Sequence, residues 1–297
     1  MQTRRTFIKQ ASLATTGLLF TPKILFPPSS LIGLQLFTVR DQIAKDPEET
    51  LAKIAQIGYT SVELFGYGNG KFFGQTPAQF FGLLKKYKLA TPSGHYMMVN
   101  YLTKGDMDEL KDNIAAAAAM GHRYFVIPFL LDNMRTSLDD YKRLADKFNV
   151  AATEARKAGM KLAYHNHNFE FKDWGGGKTG FDVFLHQTDP AQVFFEMDMY
   201  WVTRAGLSPI QLIKDHPGRF KMWHVKDMSV KADPSYTTGG QQYFAEVGTG
   251  VIDYKEIFRY KKESGMEYFY VEQDQVSRPV YDAISNSFSY VKANLAR

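Results

Sequence analysis

Short apolar runs and amphipathic runs alternate along the chain from Leu31 to its end. The apolar runs, such as IGLQLF, HRYFVIPFL and RFKMWHV, are rich in β-branched and aromatic residues, which is typical of strands buried in a parallel sheet. Each is followed by a run whose apolar positions recur at helical spacing. About eight such units of roughly 33 residues follow one another. The pattern predicts one α/β domain over residues 30–297, a (β/α)8 TIM barrel with its active site at the C-terminal rim of the strands.

Glycines mark the junctions between the predicted helices and strands. The residue after a helix end often has a positive φ, which glycine adopts without strain. Five glycines lie between an amphipathic run and an apolar run: Gly58, Gly121, Gly159, Gly218 and Gly265. An open doubly wound sheet would show the same alternation, but no GxGxxG follows the first strand, and the number of units favours closure. We therefore expect a closed barrel.

Polar residues stand at the predicted carboxyl ends of the strands. They are Glu63, His95, His165, His167, Asp198, His224 and Glu272. At about 3.3 Å per residue they reach a similar height on a common sheet, at the rim that carries the active site in barrels. Four of them, from four consecutive strands, combine two imidazoles with two carboxylates: His165, Asp198, His224 and Glu272. This donor set predicts a divalent-metal site, with Mn²⁺ or Zn²⁺ expected first and Co²⁺ or Fe²⁺ as alternatives.

Some of these residues have two interpretations. His167 lies one strand repeat beyond His165 and should face the same way, so it is an alternative ligand, although the register favours His165. Glu63 and His95 are expected to bind substrate hydroxyls, or else to make structural hydrogen bonds within the barrel.

Other candidates lie just beyond the rim. Lys226 would bind a substrate oxyanion or help to deliver a proton, or else pair with Asp227 in solvent. Trp201 would stack on the apolar face of a sugar or pack beneath a helix. The segment 228–252 is long for a connection between a strand and a helix, and it is predicted to form a lid over the rim.

Residues 1–29 differ from the rest of the chain. Paired Arg4 and Arg5 are followed by Phe7, Lys9 and a moderately apolar run that ends before a Pro-Pro pair. This order resembles a twin-arginine export signal, so we expect a periplasmic protein with no stable membrane anchor once the segment is removed. A short N-terminal anchor is the alternative, but the apolar run is too short to span a bilayer well.

Composition narrows the chemistry further. The chain has no cysteine, which excludes disulfides, thiolate nucleophiles and Cys-ligated zinc. Its net charge is +5, but four of the basic residues and no acidic residue precede the Pro-Pro pair, so the rest carries only +1. That charge gives no reason to expect nucleic acid as a partner.

Five segments give the chain a resemblance to a known group of barrels: YHNHNFEF, EMDMYW, WHVKD, VGTGVIDY and YVEQD. They resemble the xylose isomerase-like TIM-barrel superfamily, the sugar phosphate isomerase/epimerase group that also includes inosose dehydratases, ketose 3-epimerases and endonuclease IV. The similarity covers nearly all of residues 31–297. The group holds a metal by Glu, Asp, His and Glu from strands five to eight. The resemblance places these roles on His165, Asp198, His224 and Glu272, and His165 departs, because ketose epimerases have Glu there.

The resemblance implies a divalent-metal-dependent isomerase or epimerase that acts on a sugar, keto-sugar or cyclitol through an enediolate. In the epimerases two ligand glutamates also exchange protons with the substrate from opposite sides. Because His165 replaces one of them, Glu272 is expected to act as one base. The second proton transfer is assigned to His167 or Glu170, with Lys226 as a further candidate.

Three alternatives remain at the level of sequence. The departure at His165 makes a metal-dependent lyase of the inosose dehydratase type the first of them. A nuclease like endonuclease IV would need more His and carboxylate ligands than this rim offers, and a basic face for DNA. A non-catalytic carbohydrate-binding barrel is the third. The expected partner is a small carbohydrate, unphosphorylated in the periplasm, with no nucleic acid, and a homo-oligomer stays open.

Overall fold

Eight parallel strands form the centre of the molecule in the computed structural model, which describes residues 31–239 and 241–296. The strands are β1 Gly33–Gln35, β2 Ser61–Glu63, β3 Ser93–His95, β4 Tyr124–Ile127, β5 Lys161–His165, β6 Val193–Asp198, β7 Phe220–Val225 and β8 Tyr268–Val271. The sheet runs from β3 in chain order to β8 and continues through β1 to β2. The predicted export signal at residues 1–29 lies outside the described residues.

Main-chain hydrogen bonds join the two ends of this sheet, β2 and β3. Val62 N donates to Ala90 O (2.8 Å), and His95 N donates to Leu64 O (2.7 Å). These bonds close the ring of strands, so the predicted (β/α)8 barrel is confirmed and the open doubly wound sheet is excluded.

Helices connect the strands. In the described residues they are α1 Arg40–Lys45, α2 Pro47–Ile57, α3 Pro77–Lys86, α4 Val99–Lys104, α5 Met107–Ala119, α6 Leu138–Lys157, α7 Gly180–Gln187, α8 Met199–Arg204, α9 Pro209–Asp215, α10 Tyr254–Phe258, α11 Lys261–Ser264 and α12 Val280–Asn294. Capping residues fix where they start. Asp46, for example, accepts a hydrogen bond from Glu49 N (2.9 Å) ahead of Pro47. None of the helices described here is long and apolar enough to cross a bilayer.

The junction glycines take the conformation that the sequence predicts, with positive φ at all five. Gly58 (φ 118°) ends α2, and a Cβ at this position would lie only 2.6 Å from the Phe288 ring on α12. Glycine is therefore required at this junction both by the backbone conformation and by the close approach of α12.

Alternate residues of the strands line the barrel interior in layers. Along β6, β7 and β8 the layers hold first Phe194, Met222 and Tyr268, then Glu196, His224 and Tyr270, and then Asp198, Lys226 and Glu272. All nine side chains are buried. The interior therefore changes from apolar at the amino ends of the strands to ionisable at the carboxyl rim.

The long segment 228–252 is attached to the barrel at both of its ends. Asp227–Met228 pairs with Phe244–Ala245 in a small antiparallel ladder. The carboxylate of Asp227 accepts the amides of Gly248 (2.9 Å) and Gly250 (3.1 Å). A Cβ on Gly250 would lie 2.3 Å from this carboxylate, so the Gly-Thr-Gly sequence serves to bring the main chain close to Asp227.

Candidate active site

A cavity of about 530 Å³ lies at the carboxyl rim of the barrel. Many of the residues predicted from the sequence line it: His95, His165, His167, Trp201, Lys226 and Glu272. Three others, Glu63, Asp198 and His224, are fully buried next to this wall. The structure thus collects these predicted residues around one cavity, with a buried ionisable layer against it.

His224 is at the centre of the buried layer. Its Nε2 atom lies 2.6 Å from Glu63 Oε2 and 3.2 Å from Glu196 Oε2, and its Nδ1 atom lies 2.6 Å from Glu272 Oε2. Burial acts to lower the pKa of His224, but the charges of Glu196 and Glu272 outweigh burial and raise the pKa well above its ordinary value. Without a metal the ring is therefore protonated and balances the surrounding carboxylates, and a bound metal would take the place of a ring proton.

Glu196 is one of the site residues that were not picked out from the sequence. Its Oε2 atom lies 2.7 Å from His95 Nε2 and 3.2 Å from His165 Nδ1, in addition to its contact with His224. Its Oε1 atom is buried and has no hydrogen-bond partner among residues 31–239 and 241–296. Glu196 lies two residues before Asp198 on β6, so counting back at strand period from the rim could have found it.

His95 and Glu63 differ in their surroundings. Burial disfavours charge on His95, yet the carboxylates of Glu63 and Glu196 raise its pKa to about 9. Glu63 is held from below by Gln35 Nε2 (2.8 Å) and Ser93 Oγ (2.6 Å) and does not line the cavity. The contacts of Glu63 are therefore those of a residue that makes structural hydrogen bonds within the barrel. His95 reaches the cavity and stays a candidate for substrate binding.

Lys226 joins three carboxylates at the rim. Its Nζ atom lies 2.9 Å from Asp198 Oδ2, 2.8 Å from Glu272 Oε2 and 2.9 Å from Asp274 Oδ1. Burial acts to lower the pKa of Lys226, but these carboxylates raise it well above the ordinary value, so the side chain is an ammonium. The alternative partner Asp227 is instead bound by the loop amides. Asp274, which the sequence analysis did not single out, also lines the cavity.

His165 and His167 form the part of the wall that comes from β5. Burial lowers the pKa of each well below the ordinary value, so both imidazoles are neutral. The Nδ1 atom of His167 is buried and has no hydrogen-bond partner within the described ranges. Trp201 also lines the cavity, with its ring centre 5.5 Å from that of His167. This wall therefore offers neutral imidazole rings and a flat indole face to the cavity.

Glu170 is buried next to His167 and does not line the cavity. Its carboxylate accepts hydrogen bonds from the Tyr164 hydroxyl and from His167 N (2.9 Å). Burial raises its pKa to about 7, against the opposing effect of these two hydrogen bonds. Contact with the main chain of His167 suits Glu170 for positioning that residue, and its predicted part in proton transfer remains a prediction.

We expect the wild-type protein to lose stability as the pH rises towards 7, and Glu170→Gln to remove this loss. Because the pKa of Glu170 is raised to about 7 from 4.5, the folded state holds this proton more tightly than the unfolded state. The resulting stabilisation is complete below pH 4.5 and is lost as the pH rises to 7, by about 3 kcal/mol. Denaturant unfolding of both proteins between pH 4 and 8 measures the difference. The exposed Glu263→Gln is the control, and a difference that is constant with pH would contradict the assignment.

Asn168 fastens the predicted lid to the barrel. Its fully buried amide donates to Ser235 O (2.8 Å) and Thr237 O (2.6 Å). The segment 228–252 thus lies over the carboxyl rim, and its residue Thr238 lines the cavity. Whether this segment moves during turnover stays a prediction.

Asn168→Ala is expected to release the lid without unfolding the barrel. Two buried hydrogen bonds are lost, each worth about 1 kcal/mol, so amide exchange across residues 233–239 should accelerate by roughly tenfold or more. Hydrogen–deuterium exchange with mass spectrometry measures this. Asn149→Ala is the matched control, because its amide donates to Gln187 O (3.0 Å) outside the lid. Equal exchange in the two variants would contradict the proposed fastening.

The donor atoms of this site fit a divalent cation. Asp198, His224 and Glu272 offer ligand atoms within 4.8 Å of one another, and so do His95, His165, Glu196 and His224. His165 Nε2 also lies 3.7 Å from Asp198 Oδ2, which connects the two groups. Imidazole and carboxylate donors together suit the transition metals rather than Ca²⁺, and the unpartnered Glu196 Oε1 is a further free donor.

Comparison with known proteins agrees with this geometry. A family model described as Xylose isomerase-like TIM barrel matches residues 51–288. The chain belongs to this family. Inosose dehydratase of Lacticaseibacillus casei is 26% identical over 171 residues, covering 53% of this chain and 55% of the relative. Inosose dehydratase of Clostridium perfringens is 28% identical over 166 residues, covering 52% and 54%. The chain thus spans about half the length of the curated relatives that it matches.

Solved structures give the same family context. A sugar phosphate isomerase/epimerase from Parabacteroides distasonis is 26% identical, with a TM-score of 0.77, and the match covers 92% of this chain and 96% of that one. The IolI protein with a bound zinc atom has a TM-score of 0.70 over 90% of this chain and 98% of its own, but at 14% identity it shows the fold alone. The family model and the Parabacteroides distasonis neighbour therefore agree on the barrel and on its family.

Proposed function

We propose that this protein is a divalent-metal-dependent lyase that acts on a cyclic keto-sugar or cyclitol. It would remove a proton from the carbon next to the carbonyl and expel an oxygen substituent from the following carbon. The observation that carries the proposal is the unlike chemistry of the cavity walls, with neutral His165 and His167 from β5 and charged Lys226 and Glu272 from β7 and β8. Removing a proton and releasing an oxygen are different tasks, and they suit different groups.

A symmetric pair of acid–base glutamates does not match this cavity. The carboxylates that line it, Glu272 and Asp274, both follow β8, and β5 contributes imidazoles only. The curated relatives named inosose dehydratase support a lyase over an epimerase. Isomerisation was the first expectation from the sequence, and the arrangement of the cavity walls is the reason to place the lyase before it.

The residues proposed to hold the metal are those of the sequence prediction: His165, Asp198, His224 and Glu272. Glu196 lies beside them as a further carboxylate, 3.2 Å from both His165 Nδ1 and His224 Nε2. A bound divalent ion supplies positive charge that makes a proton next to a carbonyl more acidic. The zinc of the IolI protein supports a metal in this kind of barrel, and Mn²⁺ or Zn²⁺ remains the expected ion.

His167 is the proposed base, because its ring is neutral and lines the cavity. The substrate proton passes to a ring nitrogen of His167, and the electrons of the C–H bond form a carbon–carbon double bond. The bond to the leaving oxygen breaks, and that oxygen takes a proton from solvent while the Lys226 ammonium stabilises its negative charge. Exchange with solvent then restores His167, while Glu170 holds the main chain of His167 (2.9 Å).

The cations of the cavity favour an unphosphorylated substrate. They are Arg40, Lys226 and His95, and the charge of His95 is balanced by Glu63 and Glu196. The Arg40 guanidinium donates to Asp274 O (2.9 Å) and lies 4.7 Å from the centre of the Phe37 ring, and Lys226 is paired with three carboxylates. A phosphate needs uncommitted donors, so a neutral sugar suits this cavity better.

The test is an assay of metal-replete protein against a panel of inososes and keto-glycosides, followed by mass spectrometry and NMR. The proposal predicts a product lighter than the substrate by the mass of the leaving group, with a new double bond or its keto tautomer. A panel in which no member is converted would contradict the proposal.

Isomerisation or epimerisation is the second candidate function. The 26% identical neighbour named sugar phosphate isomerase/epimerase, which aligns over 92% of this chain, supports it. The same assay separates the two functions, because an isomerase or epimerase yields a product of the same mass as the substrate. Such a product would replace the lyase as the assigned activity.

We further propose export to the periplasm by the twin-arginine route, on the strength of Arg4 and Arg5 in the N-terminal sequence. Replacing both arginines with lysine should keep the protein in the cytoplasm of its host. Fractionation of cells that express either form measures this, and replacement of Lys23 with arginine is the matched control. Equal export of the double-lysine form would contradict the assignment.

A further inference from the structure

A second cavity, of about 290 Å³, lies beside the active-site cavity. The two cavities share Thr238, a residue of the lid, as a common wall. None of the residues with a proposed part in catalysis lines the second cavity. We call it the aromatic pocket, after its lining residues Tyr141, Phe169, Trp174 and Tyr236.

The partition between the cavities is a stack of rings. Phe169 lies in the wall of the aromatic pocket, and its ring is parallel to that of His167, with centres 5.4 Å apart and 5° between the planes. His167 in turn lines the active-site cavity. A ligand group in the aromatic pocket would therefore lie only one pair of rings away from the proposed base.

The aromatic pocket combines flat apolar faces with hydrogen-bonding groups. Trp174 and Tyr141 meet edge to face, with ring centres 6.4 Å apart. The Trp174 Nε1 atom is buried and lacks a hydrogen-bond partner in the part of the chain that the structure describes. Thr237 and Thr238 add hydroxyl groups to the lining. Flat faces with donors and acceptors around them are the usual surroundings of a sugar ring, which has apolar faces and a polar edge.

The charges of the pocket are largely committed. The Arg135 guanidinium contacts the Asp132 carboxylate, donates to Leu130 O (3.1 Å) and lies 3.6 Å from the centre of the Phe169 ring. The Lys172 ammonium lies 4.6 Å from the centre of the Trp174 ring. Pairing of Arg135 with Asp132 leaves one cation, held over an aromatic face, which favours a neutral ligand over an anionic one.

We propose that the aromatic pocket is a subsite for a second sugar ring, so that the enzyme binds neutral disaccharides or glycosides rather than single sugars. The reacting ring would occupy the active-site cavity, and the attached ring would lie against Trp174, with the link between the rings passing Thr238, where the two cavities meet. The assignment rests on the proposed function for the identity of the reacting ring, but the binding of the second ring can be measured without turnover.

The test compares the affinity of metal-replete protein for methyl β-glucoside with its affinity for cellobiose and maltose, by isothermal titration calorimetry. The subsite predicts that at least one disaccharide binds about tenfold more tightly than the monosaccharide. In Trp174→Ala the ratio of the two affinities should fall to about one. Trp174→Phe keeps a ring but lacks the N–H group and should give an intermediate ratio.

Tyr281→Ala is the aromatic control and should keep the wild-type ratio, because Tyr281 lies on α12 beneath Lys53 (4.7 Å) and lines neither cavity. Thermal unfolding of each variant identifies any loss of fold, and Trp174→Phe carries the test if the alanine variant unfolds. A wild-type ratio near one, or no saturable binding of either disaccharide, overturns the subsite. So does a preference for acidic disaccharides that is lost in Lys172→Met, because the ligand would then be anionic.

The outcome is separable from the proposed activity. Turnover of single keto-sugars together with an affinity ratio near one would overturn the subsite and leave the lyase intact. A high ratio that depends on Trp174, without turnover of any keto-sugar, would leave the subsite intact and contradict the lyase.

Discussion

His224→Ala is expected to lower the free energy of unfolding by about 3–5 kcal/mol and to abolish turnover. The imidazolium of His224 lies 2.6 Å from Glu63 and 2.6 Å from Glu272, all inside the barrel. Removing it leaves carboxylates that repel one another in a medium of low polarity. It also removes a donor shared by both groups of candidate metal ligands, so metal binding should fail as well.

Unfolding in denaturant, with a chelator present, measures the free energy of unfolding of the metal-free protein. His122→Ala is the matched control, since His122 is also a buried histidine, bonded to Thr91 Oγ1 (3.1 Å). Burial lowers the pKa of His122 to about 3, so this ring is neutral and its loss leaves no unbalanced charge. The His224 variant should therefore lose clearly more stability than the His122 variant. Equal losses would show that His224 does not balance charge.

His167→Gln is expected to reduce kcat by about 10²- to 10⁴-fold, the usual contribution of a general base. Glutamine keeps a polar side chain of similar reach but cannot take up a proton. Because His165 and not His167 is the proposed ligand, the His167 variant should retain its metal, whereas His165→Gln should lose metal and activity together.

Metal content by mass spectrometry, measured beside kcat, separates the two roles. His186→Gln provides the control, because His186 is exposed on α7, outside the residues that line the cavity. Loss of metal in the His167 variant would show that His167, and not His165, is the metal ligand. Unchanged kcat with metal retained would remove His167 from the mechanism.

The fold was predictable because its signals are local and repeated. Each apolar run is buried on both faces in the closed sheet, and a glycine such as Gly159 (φ 80°) ends the helix before it. The position of the rim follows from the same count, which is why His165, Asp198, His224 and Glu272 were found from register alone. Because a strand has a fixed rise per residue and a period of two, the position of a residue along the strand determines its height in the barrel and the face it occupies.

The partners of these residues could not be predicted in the same way. The alternative expected for Lys226 was an ion pair with its neighbour Asp227, but Lys226 contacts three carboxylates that come from β6 and from beyond β8. Glu196 escaped because it lies one layer below the rim, where a buried carboxylate is unusual unless cations surround it. Which side chains meet across a barrel depends on the stagger of strands that are far apart in sequence, and no local pattern encodes it.

The roles of the residues that follow β5 also could not be predicted from the sequence. GMKLAYHNHNFEF supplies the cavity wall through His165 and His167, the lid anchor through Asn168 and the partition through Phe169. From sequence it gave only a pair of histidines and an acid. The separate tasks of its residues appear once the lid and the aromatic pocket are in place around it.

The most direct test of the central claim is solvent deuterium incorporation. Metal-replete protein, incubated in D₂O with a panel of keto-sugars and inososes, should exchange the proton next to the carbonyl of at least one member, and removal of the metal should abolish the exchange. His167→Gln should slow the exchange by the same factor as it slows turnover. Exchange that persists without metal, or that is absent from every member of the panel, would contradict metal-assisted proton removal by this site.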